Sequence, residues 1–201
     1  MNKDRDRLSS DILSALSRVY EEDRVLLSDN IDVCERSLMH RFTHYFMDCV
    51  ECSKDGFYKG LHVDGEYNRH IHNPKLLEGK LIFPDVIVHK RGADDRNLCV
   101  IEFKKSLKDG DTPKTVDENK RNKRLCNDIA KLKELTRSKG EYRYEWGVFI
   151  IFDVSSGGFV GVEMKWFHDG EACTTEYQKR SLPQTHGENG QVDSEPGGDR
   201  V

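Results

Sequence analysis

Asp85, Glu102 and Lys104 are the residues of this chain whose types and spacing could do chemistry together. Asp85 lies in the run Leu-Ile-Phe-Pro-Asp-Val-Ile-Val-His at 81–89, and Glu102 and Lys104 lie in Leu-Cys-Val-Ile-Glu-Phe-Lys at 98–104. Both runs are rich in β-branched residues and read as strands. Between them, Lys-Arg-Gly-Ala-Asp-Asp-Arg-Asn is a polar, glycine-containing turn, so the runs are expected to pair as a β-hairpin. The turn centres near residues 93–94, and symmetric pairing about that centre puts Asp85 opposite Glu102. Side chains alternate along a strand, so Glu102 and Lys104 share a face with Asp85, Ile87 and His89, while Ile101 and Phe103 take the other. Carboxylates on an apolar strand are costly unless paired or metal-bound, and two of them side by side repel. A hard divalent cation such as magnesium resolves this conflict, because it takes carboxylate oxygens and keeps several waters. With an ammonium near a metal-bound water, these are the parts of metal-assisted phosphodiester hydrolysis. The alternative for the same residues is an edge hairpin whose charges face solvent.

The elements that would hold this hairpin follow from hydrophobic period. Residues 5–21 carry Leu8, Ile12, Leu13, Leu16, Val19 and Tyr20 at helical spacing. A second helix is expected over about 33–50, with Leu38, Phe42, Tyr45, Phe46 and Cys49 facing inward. Residues 61–69 suggest a polar strand before the hairpin. After it, 106–117 read as a loop and 118–138 as a helix with Leu125, Ile129, Leu132 and Leu135 at spacings of three and four. Residues 146–153 are nearly all apolar, as in a strand buried on both faces, and a last strand is expected at 159–167. From Pro183 onward only polar, small and acidic residues dominate, a composition expected to stay disordered. The expected organisation is an N-terminal helical extension at 1–29, one domain at 30–182 and a tail at 183–201. The expected class is α/β, with a central mixed sheet of four to five strands flanked by helices.

Pro84-Asp85, sixteen residues, then Glu102-Phe103-Lys104 resembles the motif of the PD-(D/E)XK nuclease superfamily, the restriction-endonuclease-like fold. The predicted order of helix, three strands, helix and strand over about residues 30–155 resembles that family's core. The run Val-Asp-Gly-Glu-Tyr-Asn-Arg at 63–69 is similar to a polar signature of uncharacterised members. The resemblance implies a magnesium-dependent nuclease, with manganese as a substitute, in which Asp85 and Glu102 ligate metal and Lys104 is the catalytic lysine. In many members a glutamate on the first core helix completes the site, and Glu35 is the matching position. A capping box formed by Asp32-Val33-Cys34-Glu35 is the competing reading of that glutamate.

Other residues belong to the rim of this reading. His89 shares Asp85's expected face and would reach a phosphate at the site's edge. Lys131 would do the same from the following helix, against a plain i, i+3 salt bridge with Asp128. Glu66 and Asn68 alternate on the polar strand and would touch the metal's outer shell, or else solvent. Lys105 opens a stretch, 104–124, with eight Lys or Arg against four Asp or Glu, a local excess that could track phosphates. His40 and His44 stand four apart on the second helix without a third ligand in sequence, which favours a solvated face.

Bulk composition narrows partners without naming one. The 201 residues are 36% hydrophobic and 34% charged, with a net charge of −4, so no global basic field points to nucleic acid. No apolar run approaches the roughly 18–20 residues of a membrane span, and the N-terminus leads into a mixed polar pattern rather than an apolar signal core. A cytosolic protein without a membrane partner is expected. Cys34, Cys99 and Cys126 fall in apolar or helical patterns and read as small buried hydrophobes, while Cys49 and Cys52 form a C-x-x-C without the second pair of a zinc site. The expected partner is nucleic acid, DNA before RNA. The acidic balance also suits a homodimer or a larger defence complex. The rival reading is a catalytically silent nucleic-acid-binding or accessory protein of such a complex.

Overall fold

The computed structural model describes residues 2–27, 33–105, 118–152, 161–173 and 178–181. Helix α1 spans Lys3–Glu22, a 3-10 turn covers Arg24–Leu27, and α2 spans Glu35–Cys52. Strand β1 is His62–Gly65, and four short strands follow: β2 Arg69–His70, β3 Asn73–Pro74, β4 Leu76–Leu77 and β5 Lys80–Leu81. Then come β6 Val86–His89, β7 Asn97–Lys105, α3 Glu118–Leu135, β8 Trp146–Phe152, β9 Gly161–His168, β10 Glu171–Ala172 and β11 Gln178–Ser181.

The architecture is α/β, with a mixed sheet flanked by helices. The sheet runs β1-β6-β7-β8-β9, and β10 and β11 both pair with β9 along its outer edge. It is larger than the four to five strands expected, because β10 and β11 are too short and too polar to register as strands in sequence. Strands β7 and β8 are parallel and joined through α3, and every other pair in the sheet is antiparallel. Central parallel strands lie under cover on both faces, and β7 is buried from Asn97 through Phe103.

One face packs on α1 and α2, the other on α3. Helix α1 starts at Asn2, whose Oδ1 accepts the Asp4 N–H at 3.0 Å, and its Leu8, Ile12, Leu16 and Val19 are buried. These share one core with Phe42 and Phe46 of α2 and with Val86, Ile101 and Phe103 of the hairpin. The N-terminal extension is therefore built into the core. Phe42 stacks on Phe46 at 5.5 Å and on Phe103 at 6.0 Å between ring centroids. On the other face, Leu132 and Leu135 of α3 pack on Ile87, Val100, Phe149 and Phe167. Helix α3 comes close because Gly147 of β8 has no side chain, since a Cβ there would meet Thr136 Cγ2 at 2.9 Å.

The hairpin register is Val86 opposite Ile101, with a bulge between Val88 and His89. Strand β6 is shorter than the 81–89 run: Pro84 has no N–H for the ladder, and Asp85 directly precedes the paired residues. Strand β1 likewise ends at Gly65, because Glu66 adopts a left-handed φ of 49°. Residues 66–84 form an excursion of two small hairpins, β2–β3 and β4–β5. The second turns on Glu78 and Gly79, both left-handed, the pair of conformations that matches strand twist.

All six cysteines are free; Cys99 is buried as expected, but Cys34 and Cys126 are exposed. The latter two sit at the cap of α2 and on the solvent side of α3, where the helical pattern alone did not fix their facing. No helix among the described residues is long and apolar enough to cross a membrane. The loop at 106–117 and the tail at 183–201 lie outside the described residues.

Candidate active site at the open end of the hairpin

Extended one residue past Val86 and Ile101, the register sets Asp85 opposite Glu102, which meets Lys131 of α3. Asp85 Oδ2 accepts the N–H of Phe103 at 2.8 Å, which fixes the carboxylate across the strand end. Glu102 is 1% exposed. Its Oε2 lies 2.6 Å from Lys131 Nζ, and its Oε1 is buried and has no hydrogen-bond partner among the described residues. Lys104 Nζ is 3.0 Å from Glu35 Oε1 and 3.2 Å from Asp128 Oδ2, and Asp128 Oδ1 is 3.5 Å from Lys131 Nζ. Glu35, Lys104, Asp128, Lys131 and Glu102 thus form a chain of alternating charge, with Asp85 beside Glu102. Among the described residues the cluster thus gathers four carboxylates and two ammonium groups.

Burial pushes both hairpin carboxyls up. Desolvation raises Asp85 most, with Glu35 adding to it against the Phe103 N–H, Lys104 and Lys131. Desolvation also drives Glu102 well above its ordinary range, helped by Asp85 and opposed by Lys131. Lys104 is half-buried, which favours its neutral form, yet Glu35 and Asp128 outweigh that and raise it. Lys131 is raised as well, since Glu102 and Asp128 overcome its burial. Raised carboxyls beside firmly charged lysines are the signature of a strained polar cluster, common at functional sites.

A cavity of about 340 Å³ opens beside Asp85, lined by Cys34, Glu35, Arg36, Met39 and Glu66. Arg36 Nε holds Glu66 Oε1 at 2.9 Å there. Glu66 thus reaches the cavity wall from a left-handed residue beyond β1, not from an alternating strand position. Asn68, also beyond β1, accepts the Lys75 N–H on its carbonyl. Glu35 is the first residue of α2 and its cap is Cys34, without a side-chain capping bond. The capping-box reading, which needs Glu35 at the third helical position, fails. Its two oxygens go instead to Lys104 Nζ and to the Lys105 N–H at 3.1 Å.

Lys131 points into the site and also makes the i, i+3 pair with Asp128, so both readings of it hold. The Lys105 ammonium donates to the Val33 carbonyl at 2.9 Å, and most of the basic run after it falls outside the described side chains. His89 sits at the other end of β6, buried, with Nε2 2.9 Å from Asp64 Oδ2 and its ring 4.9 Å from that of Tyr67. His40 and His44 are exposed, as their solvated reading requires. In sequence Asp128 stands out only as Lys131's i, i+3 neighbour. Its signal was its place inside the apolar stripe of α3, between Leu125 and Leu132, where a charge faces inward.

The donors suit a hard cation. Magnesium asks for one or two protein carboxylates and fills its remaining positions with water. Glu102 Oε1 is an unpartnered buried oxygen, and Asp85 beside it borders a cavity of water-holding size. Among the described residues no three carboxylate, imidazole or thiolate groups converge into a cage of their own. No protein-family model, no curated protein and no solved structure matches this chain.

Proposed function

We propose that this chain is a metal-dependent phosphodiesterase acting on nucleic acid, DNA before RNA, with a restriction-endonuclease-like core. The observation that carries the reading is the pairing of Asp85 with a fully buried Glu102 that keeps one oxygen unpartnered, with Lys104 two residues on. The element order α2, β1, β6, β7, α3, β8, with β7 and β8 parallel, supports the same reading.

Asp85 and Glu102 would hold magnesium or manganese. Bound there, the ion would supply Lewis acidity and an acidified water. Glu35 and Asp128 keep Lys104 protonated and fixed at the end of β7, so its ammonium offers preorganised positive charge to a phosphate whose own charge grows in the transition state. Lys131 offsets the charge of Glu102 from the α3 side. Glu35 borders the cavity and would join the ligands only by giving up a bond to Lys104 or Lys105.

The test is cleavage of supercoiled and single-stranded DNA with magnesium, with manganese and with EDTA. Metal-dependent products support the reading; intact DNA under every condition overturns it. The second reading, a silent nucleic-acid-binding protein, draws on Lys131, which already compensates Glu102 from within the chain. It predicts binding with neither cleavage nor metal uptake.

A further inference from the structure

Among the described residues the large exposed apolar side chains are Val25, Ile71, Leu76, Leu81 and Phe83. Four of these five fall in the excursion between β1 and β6, which ends one residue before Asp85. Burial alternates along its last stretch: Leu81 is exposed, Ile82 buried, Phe83 exposed, Pro84 buried and Asp85 half-buried. Proline restrains the residue before it to an extended backbone, and two extended residues span about 7 Å. The Phe83 backbone therefore stands within about one nucleotide's length of Asp85, and the residue is 49% exposed.

This exposure does not come from a loose segment. Lys75 is buried, its Nζ donating to the carbonyls of Tyr67 at 3.2 Å and Arg69 at 2.5 Å. The Tyr142 hydroxyl accepts the Leu76 N–H at 2.7 Å and donates to the Leu76 carbonyl at 2.8 Å. Ile82 donates its N–H to Lys75 and packs beneath, in the core under α3. The base of the excursion is fixed, and its apolar side chains are held outward on it. Within the excursion Arg69 and Lys80 are exposed, against one exposed acid, Glu78. This local balance is positive in a chain whose net charge is −4.

We infer that Leu81 and Phe83 form a platform that receives an unpaired nucleobase beside the phosphate that a cation at Asp85 and Glu102 would hold, which makes single-stranded or frayed nucleic acid the substrate. The inference rests on the proposed phosphodiesterase reading and names its substrate class. A rigid aromatic face with flanking cations fits a base and its backbone, because stacking accepts any base and the cations follow the phosphates. Base pairs inside a duplex offer no such face. A second copy of this chain could also cover an apolar patch, but the two-residue spacing of Phe83 from Asp85 and the basic balance of the excursion favour the nucleic acid.

The experiment is fluorescence anisotropy in EDTA, where no cleavage occurs, with the full chain and three probes of equal length: an adenine-rich single strand, the same strand with abasic sites, and a blunt duplex. Wild type should bind the single strand most tightly. Phe83→Ser should weaken that binding about fivefold or more and leave abasic binding unchanged, with Leu81→Ser showing the smaller change in the same direction. Both sites are exposed, so circular dichroism should show both variants folded. Equal affinity of wild type and Phe83→Ser for the single strand overturns the platform, whether or not the protein cuts DNA. So does a wild-type dimer in sedimentation that Phe83→Ser dissolves, since a second copy would then be the occupant. Base-dependent binding without metal-dependent cleavage supports the platform and removes the nuclease reading instead.

Discussion

At the turn end of the β6–β7 hairpin, Asp64 of β1 receives His89 Nε2 at 2.9 Å and Arg91 Nε at 2.8 Å, with Arg91 Nη2 on its other oxygen. At the open end, Asp85 and Glu102 sit together with one oxygen of Glu102 unpartnered. Both clusters hold acids under partial or full cover, and burial pushes both toward protonation. At Asp64, His89 and Arg91 reverse that push and hold the carboxyl well below its usual range. At Glu102, Lys131 does not reverse it. The contrast separates two uses of buried charge. A carboxylate with a matched donor for each oxygen stabilises the fold. A carboxylate pair crowded past its internal cations costs stability, and such a cost is retained where something else completes the site.

The largest effects should come from breaking the open-end cluster. Lys104→Ala should lower the cleavage rate by about a hundredfold or more while leaving metal affinity intact, because an ammonium cannot ligate a cation. Asp85→Ala should instead weaken metal uptake itself. Calorimetric metal titration run beside single-turnover cleavage tells these apart, and equal behaviour of both variants and wild type in the two assays would remove the active-site reading. Next in size is Lys131→Met. It leaves Glu102 buried without its one partner, a change that costs about 3–5 kcal/mol. Urea unfolding at neutral pH should show that loss. The loss should shrink toward acid pH, where Glu102, already raised by burial, takes a proton. Manganese should recover part of it by binding the folded state.

How much of this was legible in the sequence differs between the two ends of the hairpin. The register at Asp85 and Glu102 followed from counting outward from the turn, and side-chain alternation then gave the face. The count crosses the bulge between Val88 and His89 and still reaches the right pair, because the register from Val88 outward stays symmetric about residues 93–94. His89 lay on the far side of that bulge, and its partner Asp64 comes from a separate strand, so counting along β6 could not find the pair. The bond from Lys131 to Glu102 and that from Asp128 to Lys104 depend on the packing of α3 across β7, a long-range contact that helical period does not specify. The excursion at 66–84 was hidden for another reason. Its strands are two residues each, too short for any period, and its turn residues Ile71 and Glu78 hold left-handed conformations uncommon for their types. The fold class was written in long periodic runs; the sheet's outer edge and the carboxylate partners of the site's two lysines were not.

The smallest expected effect is at the turn end, and its pH dependence is the sharpest check on the comparison. Asp64→Asn keeps the shape of the side chain and removes the charge that His89 and Arg91 share. Hydrogen bonds to a charged group contribute about 1.5–3 kcal/mol, so the variant should lose an amount in that range at neutral pH. The folded-state pKa of Asp64 is depressed below its unfolded value, near the ordinary 3.9 for aspartate. Its contribution is therefore fully present above that unfolded value and is lost as pH falls through and below it. Wild type and Asp64→Asn should thus converge in stability as pH drops from about 5 to 2, whereas the Lys131→Met deficit changes over the higher range where Glu102 titrates. Urea midpoints for wild type and both variants across pH 2–8 give the two curves. A difference between wild type and Asp64→Asn that stays flat down to pH 2 would mean that Asp64 acts through shape and packing, and the contrast between a matched and a crowded carboxylate would lose its matched half.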